Sequence, residues 1–384
     1  MSPQAARINQ LTTVHPRNDI RIAIKQCATL QAAFPGDVGL VVADGLGDEK
    51  GAQVPVTDLG SVGPSRVTRP FKGFFRALKH LRSNRPAILH FHDPELIPLG
   101  MAAKVMGIRV IYDVHEDVPR QLKARDSHGM LLRNALAICA GVTEWIAARV
   151  LDAMVCATPT IAARFPERKT TVVQNFPIVG ELALEERGAY ADRPRRFVYI
   201  GGITEKRGVR EMMQAAGEFG RDSGVELNLA GTCFPENLRQ ELEQPPGAAN
   251  TRFLGVLDRR QVAELLASAR AGLVVLHDTP NYVNSQPIKL YEYMSAGLPV
   301  IASDFPLWRE LIDGIGNGLL VDPKDPQAIR EAMQWILEHP DEAEAMGRRG
   351  QQAVESGLNW EHEASKLVAL YERIAPAAAQ ISVR

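Results

Sequence analysis

Asn284-Ser285-Gln286-Pro287-Ile288-Lys289-Leu290-Tyr291-Glu292-Tyr293-Met294-Ser295-Ala296-Gly297-Leu298-Pro299-Val300-Ile301-Ala302 is the stretch on which the reading of this chain turns. Pro287 suits the first position of a helix, Leu290 and Met294 recur one turn apart, and Gly297-Leu298-Pro299 makes a tight turn into an apolar run. A helix that turns at once into a buried strand is half of a βαβ unit and predicts a parallel sheet.

The same alternation runs outward in both directions. In the second half it predicts strands at 197–200, 226–230, 271–276, 299–302 and 318–321, with helices at 208–219, 260–268, 287–295, 326–338, 340–356 and 360–374. In the first half it predicts helices at 20–34, 95–106 and 131–150 and strands at 38–42, 87–90, 109–112 and 153–156. Between Pro177 and Arg196 the pattern lapses into charged and small residues, which reads as an interdomain link. Two doubly wound α/β domains follow. In such sheets ligands sit at the carboxyl ends of the strands, so the loops there are where chemistry is expected.

Composition agrees. The chain has 384 residues, 45% apolar and 23% charged, long enough for two or three domains at about 150 residues each. Cys27, Cys139, Cys156 and Cys233 are scattered without a C-x-x-C pair, which argues against a disulfide framework or zinc site and for small buried thiols in a reducing compartment. Residues 1–10 lack the basic start and apolar run of a secretion signal, and no stretch approaches the roughly 18 apolar residues of a spanning helix, so the expected location is the cytoplasm. A net charge of -1 excludes bulk attraction to nucleic acid.

That average hides one asymmetry. Between Asp58 and Asp93 there is no acidic residue, while Arg66, Arg69, Lys72, Arg76, Lys79, Arg82 and Arg85 are interleaved with Phe71, Phe74, Phe75, Leu78 and Leu81 at helical spacing. Residues 66–85 thus form a basic amphipathic helix suited to an anionic membrane surface. An ordinary surface helix whose phenylalanines face its own core would carry the same pattern.

Polar residues crowd the predicted strand ends of the first half: His15, Arg17, Asp19 and Arg21 after the first strand, His92 and Asp93 after the next candidate, His115-Glu116-Asp117 after the third. Asp93 before Pro94 also fits a helix cap, and Asp19 could cap the first helix. An imidazole such as His115 can exchange a hydrogen bond with a hydroxyl near neutral pH. No H-E-x-x-H or comparable spacing marks a metal site. In the second half the amides around Ser285, Gln286, Pro287 and Ile288 open a helix, a natural seat for a diphosphate. Glu292 could accept both hydroxyls of a ribose, unless it merely pairs with Lys289 on the helix surface.

With these residues the chain resembles the retaining family 4 glycosyltransferases of GT-B fold, which use nucleotide sugars. The resemblance rests on Tyr199-Ile200-Gly201-Gly202-Ile203-Thr204-Glu205-Lys206-Arg207-Gly208, Ala230-Gly231-Thr232, Phe253-Leu254-Gly255, residues 287–303 and Gly318-Leu319-Leu320-Val321-Asp322-Pro323, and in the first half on His92-Asp93-Pro94 and Ile111-Tyr112-Asp113-Val114-His115-Glu116-Asp117. It implies two Rossmann-like domains facing across a cleft: an acceptor-binding domain over 1–178, a donor-binding domain over 194–358, and a C-terminal helix within 359–384 returning to the first domain.

The resemblance also implies roles. Glu292 matches the second glutamate of the family's E-x7-E motif, which holds the donor ribose; the first is Asn284 here. The family's arginine and lysine after the first donor-domain strand correspond to Gly202 and Arg207, so one cation is missing and Lys289 is its candidate replacement. Arg207, Lys289 and the helix amides would stabilise the leaving diphosphate, with Gly201, Gly231 and Thr232 lining the donor site. His115 would contact the donor sugar, and His15, Arg17, Asp19, Arg21, His92 and Asp93 the acceptor side. The implied reaction moves a sugar, from UDP first and GDP second, to a lipid-linked saccharide or cell-surface polysaccharide without metal or cofactor. The alternatives are a GT-B nucleotide-sugar epimerase and an inactive transferase-like binding subunit, for which Gly202 is the hint. A nicotinamide dehydrogenase is disfavoured, because no G-x-G-x-x-G follows either first strand.

Overall fold

A computed structural model describes residues 7–65, 67–123, 129–184, 188–244 and 250–375. The chain divides into two compact units, one formed by residues up to Asn175 together with those from His362 onward, the other by Phe176–Glu361.

The first unit is built on seven strands: β1 (Ile8–Leu11), β2 (Val38–Val42), β3 (Val56–Asp58), β4 (Ile88–Phe91), β5 (Arg109–Val114), β6 (Ala153–Cys156) and β7 (Thr170–Val172). They pair in parallel in the order β3-β2-β1-β4-β5-β6-β7. β1, β2, β4 and β6 are buried at every position, as strands covered by helices on both faces must be. The order reverses between β1 and β4, and a crevice opens at the carboxyl ends of strands at such a point. The second unit repeats the plan with β8 (Arg196–Ile200), β9 (Glu226–Ala230), β10 (Thr251–Gly255), β11 (Ala271–Val274), β12 (Val300–Ser303) and β13 (Gly318–Val321), ordered β10-β9-β8-β11-β12-β13. Its reversal lies between β8 and β11.

The decisive stretch folds as read. Helix Ile288–Ser295 docks on the second sheet through Tyr293, whose ring lies where a Cβ on Gly272 would come within 2.2 Å of it, and whose hydroxyl accepts from the amide of Ile200 at 2.9 Å. Only a glycine in β11 leaves room for that ring.

Several expectations change. The helix expected at 20–34 begins as a π-helix over Ile20–Cys27 and becomes α only at Ala28–Ala33. Asp93 does not cap its helix; its carboxylate instead takes the backbone amide of Thr13 and the hydroxyls of Thr12 and Thr13, pinning the loop after β1. Asp19 does cap, accepting from Ile22 N at 2.9 Å. The stretch after Asn175 is no free linker: Phe176 and Leu182 are buried in the core of the second unit, Phe176 with its ring 4.7 Å from that of Tyr291. Of the cysteines, Cys27 and Cys156 are buried but Cys139 is exposed and Cys233 partly so.

Two corrections concern the outer surface of the first unit. Helix Met130–Val150 is long and apolar enough to cross a membrane by length and composition, although Arg133, Glu144 and Arg149 break any continuous apolar run. In helix Thr68–Ser83, Ala77 and Leu81 face the core and Phe74 packs on it, but Phe71 and Phe75 are 67% and 65% exposed, so the core does not account for them. Arg66 of the basic window lies outside the described residues.

The C-terminal helix Trp360–Ile374 contributes Tyr371 to the core of the first unit, where its hydroxyl accepts from Gln10 Nε2 at 2.8 Å and lies 2.8 Å from His90 Nδ1. Glu363 accepts from the amide of Gln174 at 2.9 Å.

Candidate functional site

In the first unit the strand ends converge on one carboxylate. Asp113 lies near the end of β5, on the same face as His115, and is fully buried. Arg21 grips it with two bonds, Nε at 3.0 Å and Nη2 at 2.7 Å; Gln26 Nε2 donates at 2.6 Å, and His115 Nε2 lies at 3.0 Å. Arg21 and Gln26 are five residues apart. On an α-helix they would diverge by about 140°, whereas the wider π turn brings both to one side. Burial alone would push the Asp113 carboxyl up, but the Arg21 guanidinium and His115 hold it well below the usual carboxylate range.

His92 lies against this pair, with Nδ1 at 3.2 Å from His115 Nε2 and Nε2 at 2.7 Å from Gln10 Oε1. His90 stacks on it with ring centroids 4.9 Å apart. Burial lowers both imidazoles, His90 far below its ordinary value, so both are neutral near pH 7. His15 and His115 reach solvent, their rings 5.1 Å apart. His15 is raised by its bond to Asp19, whose carboxyl, despite burial, is drawn down to about 2 by His15 and the Ile22 amide.

The structure therefore gathers His15, Asp19, Arg21, His92, Asp93 and His115 at the reversal point. It does not bring Arg17 there. Arg17 turns to Asp44, with bonds of 2.7 and 2.8 Å, and to Gly47 O. Ligand atoms of His90, His92 and Asp113 lie within 4.8 Å of one another, close enough to share a metal ion. Both oxygens of Asp113 already accept from the buried guanidinium of Arg21, so a divalent cation there would have to displace or face a like charge.

In the second unit the candidate residues meet at the end of β8. Gly201 and Gly231 have φ of +126° and +140°, and a Cβ on Gly231 would lie 2.0 Å from Gly201 O, so that turn admits only glycine. Lys289 Nζ lies 4.0 Å from the ring centroid of Tyr199 and donates to its hydroxyl at 2.8 Å; that hydroxyl donates to Gly202 O at 2.8 Å. Arg207 Nη1 donates to the same carbonyl at 3.1 Å. Two cations thus flank the glycine loop, and a Cβ on Gly201 would sit 3.1 Å from Lys289 Nζ and 3.7 Å from Arg207 Nη1. Burial, and then the neighbouring Arg207, push the Lys289 amine down to about 7.

Glu292 does not pair with Lys289. It is held by Arg259 Nη1 at 2.6 Å, and Arg259 in turn by both oxygens of Glu181 at 2.7 and 2.8 Å. Trp308 Nε1 donates to Ser285 O at 2.7 Å and fixes the turn before the helix. Gln286 and Pro287 line a cavity with Leu290 and Trp308. Asn284 is exposed, with its amide turned to Pro280 O at 3.3 Å; Thr232 is exposed after Gly231.

Sequence reasoning missed Asp113, Gln10 and Gln26 in the first unit and Tyr199, Arg259 and Glu181 in the second. Asp113 had a signal: a charged side chain inside an apolar strand, two residues before a histidine on the same face. Arg259 and Glu181 had none, because their pairing spans 78 residues of chain.

Two doubly wound parallel sheets, one with a glycine turn flanked by cations beside a helix N-terminus, define a GT-B architecture. The family descriptions agree: "Glycosyltransferase Family 4" matches residues 30–176 and "Glycosyl transferases group 1" matches 180–353. The chain belongs to the group 1/family 4 glycosyltransferases.

Among its relatives, the D-rhamnosyltransferase WbpZ of Pseudomonas aeruginosa is 32% identical over 161 residues, 41% of this chain and 40% of that protein. The phosphatidyl-myo-inositol mannosyltransferase of Mycobacterium tuberculosis is 29% identical over 201 residues, 50% of this chain and 51% of that protein. These matches thus span about half or less of each relative. Among solved structures, Anabaena Alr3699/HepE in complex with UDP-glucose superposes with a TM-score of 0.71 at 12% identity, over 95% of this chain and 99% of that one.

Proposed function

We propose that the protein transfers a sugar, with retention, from a nucleotide-diphosphate sugar to a lipid-linked or cell-surface saccharide. The observation that carries this reading is the convergence of Lys289 and Arg207 on the glycine turn after β8, beside the first-turn amides of helix Ile288–Ser295. Two cations and a positive helix end make a seat for a diphosphate. Glu292 lies on the same helix with one carboxylate oxygen bonded to Arg259, and its remaining acceptor capacity suits a ribose diol. UDP is favoured, with GDP second, since the neighbour HepE was solved with UDP-glucose.

In this reading the leaving diphosphate departs from the anomeric carbon as positive charge builds on the ring, and the work of the site is to stabilise negative charge on that phosphate. Arg207, Lys289 and the helix amides do so without a metal. The leaving phosphate takes the acceptor's proton on the same face. His115, oriented through Nε2 by Asp113, offers its other ring nitrogen to a sugar hydroxyl. The relatives whose names specify sugar transfer to phosphatidyl-inositol favour a lipid-borne acceptor, and helix Thr68–Ser83, with Lys72 and Lys79 exposed, suits one at the cytoplasmic face of a membrane.

The test incubates the protein with UDP- and GDP-sugars, with and without polyprenyl-linked saccharides, in EDTA. Acceptor-dependent release of nucleoside diphosphate with an unchanged anomeric configuration is expected. Release of an isomerised sugar without acceptor would identify an epimerase; no consumption of any donor would identify a binding subunit. Glu292→Ala is expected to raise the donor KM at least tenfold with a smaller change in kcat, because the bond it removes forms before the chemical step.

A further inference from the structure

Glu292 is not free to turn. Arg259 Nη1 donates to its Oε1 at 2.6 Å, and its other oxygen accepts from no protein group among the described residues. The guanidinium is held in turn from its other edge, where Nε and Nη2 donate to the two oxygens of Glu181 at 2.8 and 2.7 Å. The three side chains are only 12% to 32% exposed. Arg260, one residue on, makes the contrast: it pairs with Glu264 on its own helix and is 88% exposed, an ordinary surface ion pair.

Each of the three residues is anchored by its own element. Glu292 sits in helix Ile288–Ser295, where its neighbours Tyr291 and Tyr293 are buried. Arg259 opens helix Arg259–Ala267, whose first turn is closed by a capping box between Asp258 and Gln261. Glu181 precedes Leu182, which is buried in the core of the same unit. The two ion pairs span 78 and 33 residues of chain, so the fold sets them and not a helical repeat.

The order of the three charges has a chemical consequence. An arginine facing a single carboxylate tends to take both of its oxygens in a two-bond fork. Here Glu181 occupies that fork, so Arg259 has one nitrogen left for Glu292, and Glu292 keeps one oxygen open. The guanidinium also offsets the charge of Glu292, which would otherwise repel a diphosphate seated at the start of the same helix.

We propose that Glu181 and Arg259 are positioning residues for ribose recognition: Glu181 holds the guanidinium off the second oxygen of Glu292, and Arg259 fixes that carboxylate to meet a ribose diol. A deoxyribose is rejected because it leaves unpaired an oxygen set for a hydroxyl. The inference rests on the nucleotide-sugar reading of this site. It adds that the choice of ribose depends on two residues that act through Glu292 and not by touching the nucleotide.

The test measures calorimetric binding of UDP, GDP, dUDP, dGDP and inorganic pyrophosphate to the full chain. Wild type is expected to bind the preferred ribonucleotide at least about tenfold more tightly than its deoxy counterpart. Glu181→Gln frees Arg259 to close on both oxygens of Glu292, so affinity for the ribonucleotide is expected to fall by about tenfold or more, that for the deoxynucleotide by less than about threefold, and that for pyrophosphate not at all. Adding Arg259→Gln removes the competitor and is expected to recover about threefold or more of the loss, a gain that a merely structural ion pair would not give. Pyrophosphate binding reports that each variant is folded, and the preference of wild type needs no variant. Equal binding of ribonucleotide and deoxynucleotide to wild type, an unchanged preference in Glu181→Gln, or a double variant no better than the single one would each overturn the proposal. Binding of no nucleoside diphosphate to wild type would overturn the donor-site reading as well, so the two failures are told apart.

Discussion

Lys289→Met is expected to lower sugar transfer by roughly 10²–10³ in kcat, the loss typical when one preorganised group is removed from a developing negative charge. The variant also separates function from folding. In the free protein Lys289 rests on the Tyr199 ring with its amine pushed down to about 7, against about 10.5 unfolded. The unfolded chain therefore binds more protons between those values, and Lys289 weakens the fold increasingly as pH falls from 10.5 towards 7. Methionine keeps the contact with Tyr199 and removes that penalty, so the melting temperature of Lys289→Met at pH 7 is expected to equal or exceed that of wild type. A loss of activity with a falling melting temperature would instead make Lys289 a structural residue.

The same amine predicts proton uptake. A diphosphate favours the ammonium, so binding draws a proton onto Lys289 above pH 7, and donor affinity falls with rising pH, by up to tenfold per unit. Calorimetry in buffers of different ionisation enthalpy measures this directly. Lys289→Met should abolish the uptake.

Asp113→Asn should have the largest effect on stability. It leaves Arg21, 5% exposed, with its guanidinium facing an amide, and breaking a buried pair from one side costs about 3–5 kcal/mol. For a unit near 200 residues this lowers the melting temperature by roughly 6–20 °C. The sign with pH follows from the lowered carboxyl: its contribution is present above the unfolded value near 3.9 and fades as pH falls from there towards the folded value. Wild type should thus lose stability below about pH 4 more steeply than the variant. Arg21→Met combined with Asp113→Asn should recover part of the loss, since neither partner is then a buried, unpaired charge. Equal pH slopes for wild type and variant would show that Asp113 is not the anion of the pair.

The two sheets were legible because strands covered on both faces are buried at every position and mostly apolar, as in Ile88–Phe91 and Val300–Ser303, where His90 and Ser303 are the polar exceptions. Val56–Asp58 and Thr170–Val172 were missed because three residues carry no period. Thr251–Gly255 was missed because, at the edge of its sheet, it alternates half-buried and exposed positions and includes Arg252. The helix at 20–34 was visible from Ile20, Ile24 and Cys27, but nothing in that spacing distinguishes a π turn from an α turn. What selects the π form is tertiary: Arg21 and Gln26 both reach one carboxylate 87 to 92 residues away.

The candidate site was legible where chemistry is local. His115, Lys289 and Glu292 could be singled out from their own motifs. Their partners could not: Tyr199 under Lys289 and Arg259 on Glu292 come from other strands and helices. Asp93 shows the converse. Its local sequence fits a cap, yet two threonines 80 and 81 residues earlier claim the carboxylate, because a buried charge needs several donors and one cap supplies fewer.

Calorimetric binding of UDP, GDP and ADP to wild type and to Glu292→Ala probes the diphosphate seat and its ribose contact together. One nucleoside diphosphate is expected to bind wild type tightly and the variant at least tenfold more weakly, which fixes the donor class. Binding of none of the three to wild type, or equal binding to Glu292→Ala, would contradict the nucleotide-sugar site described here.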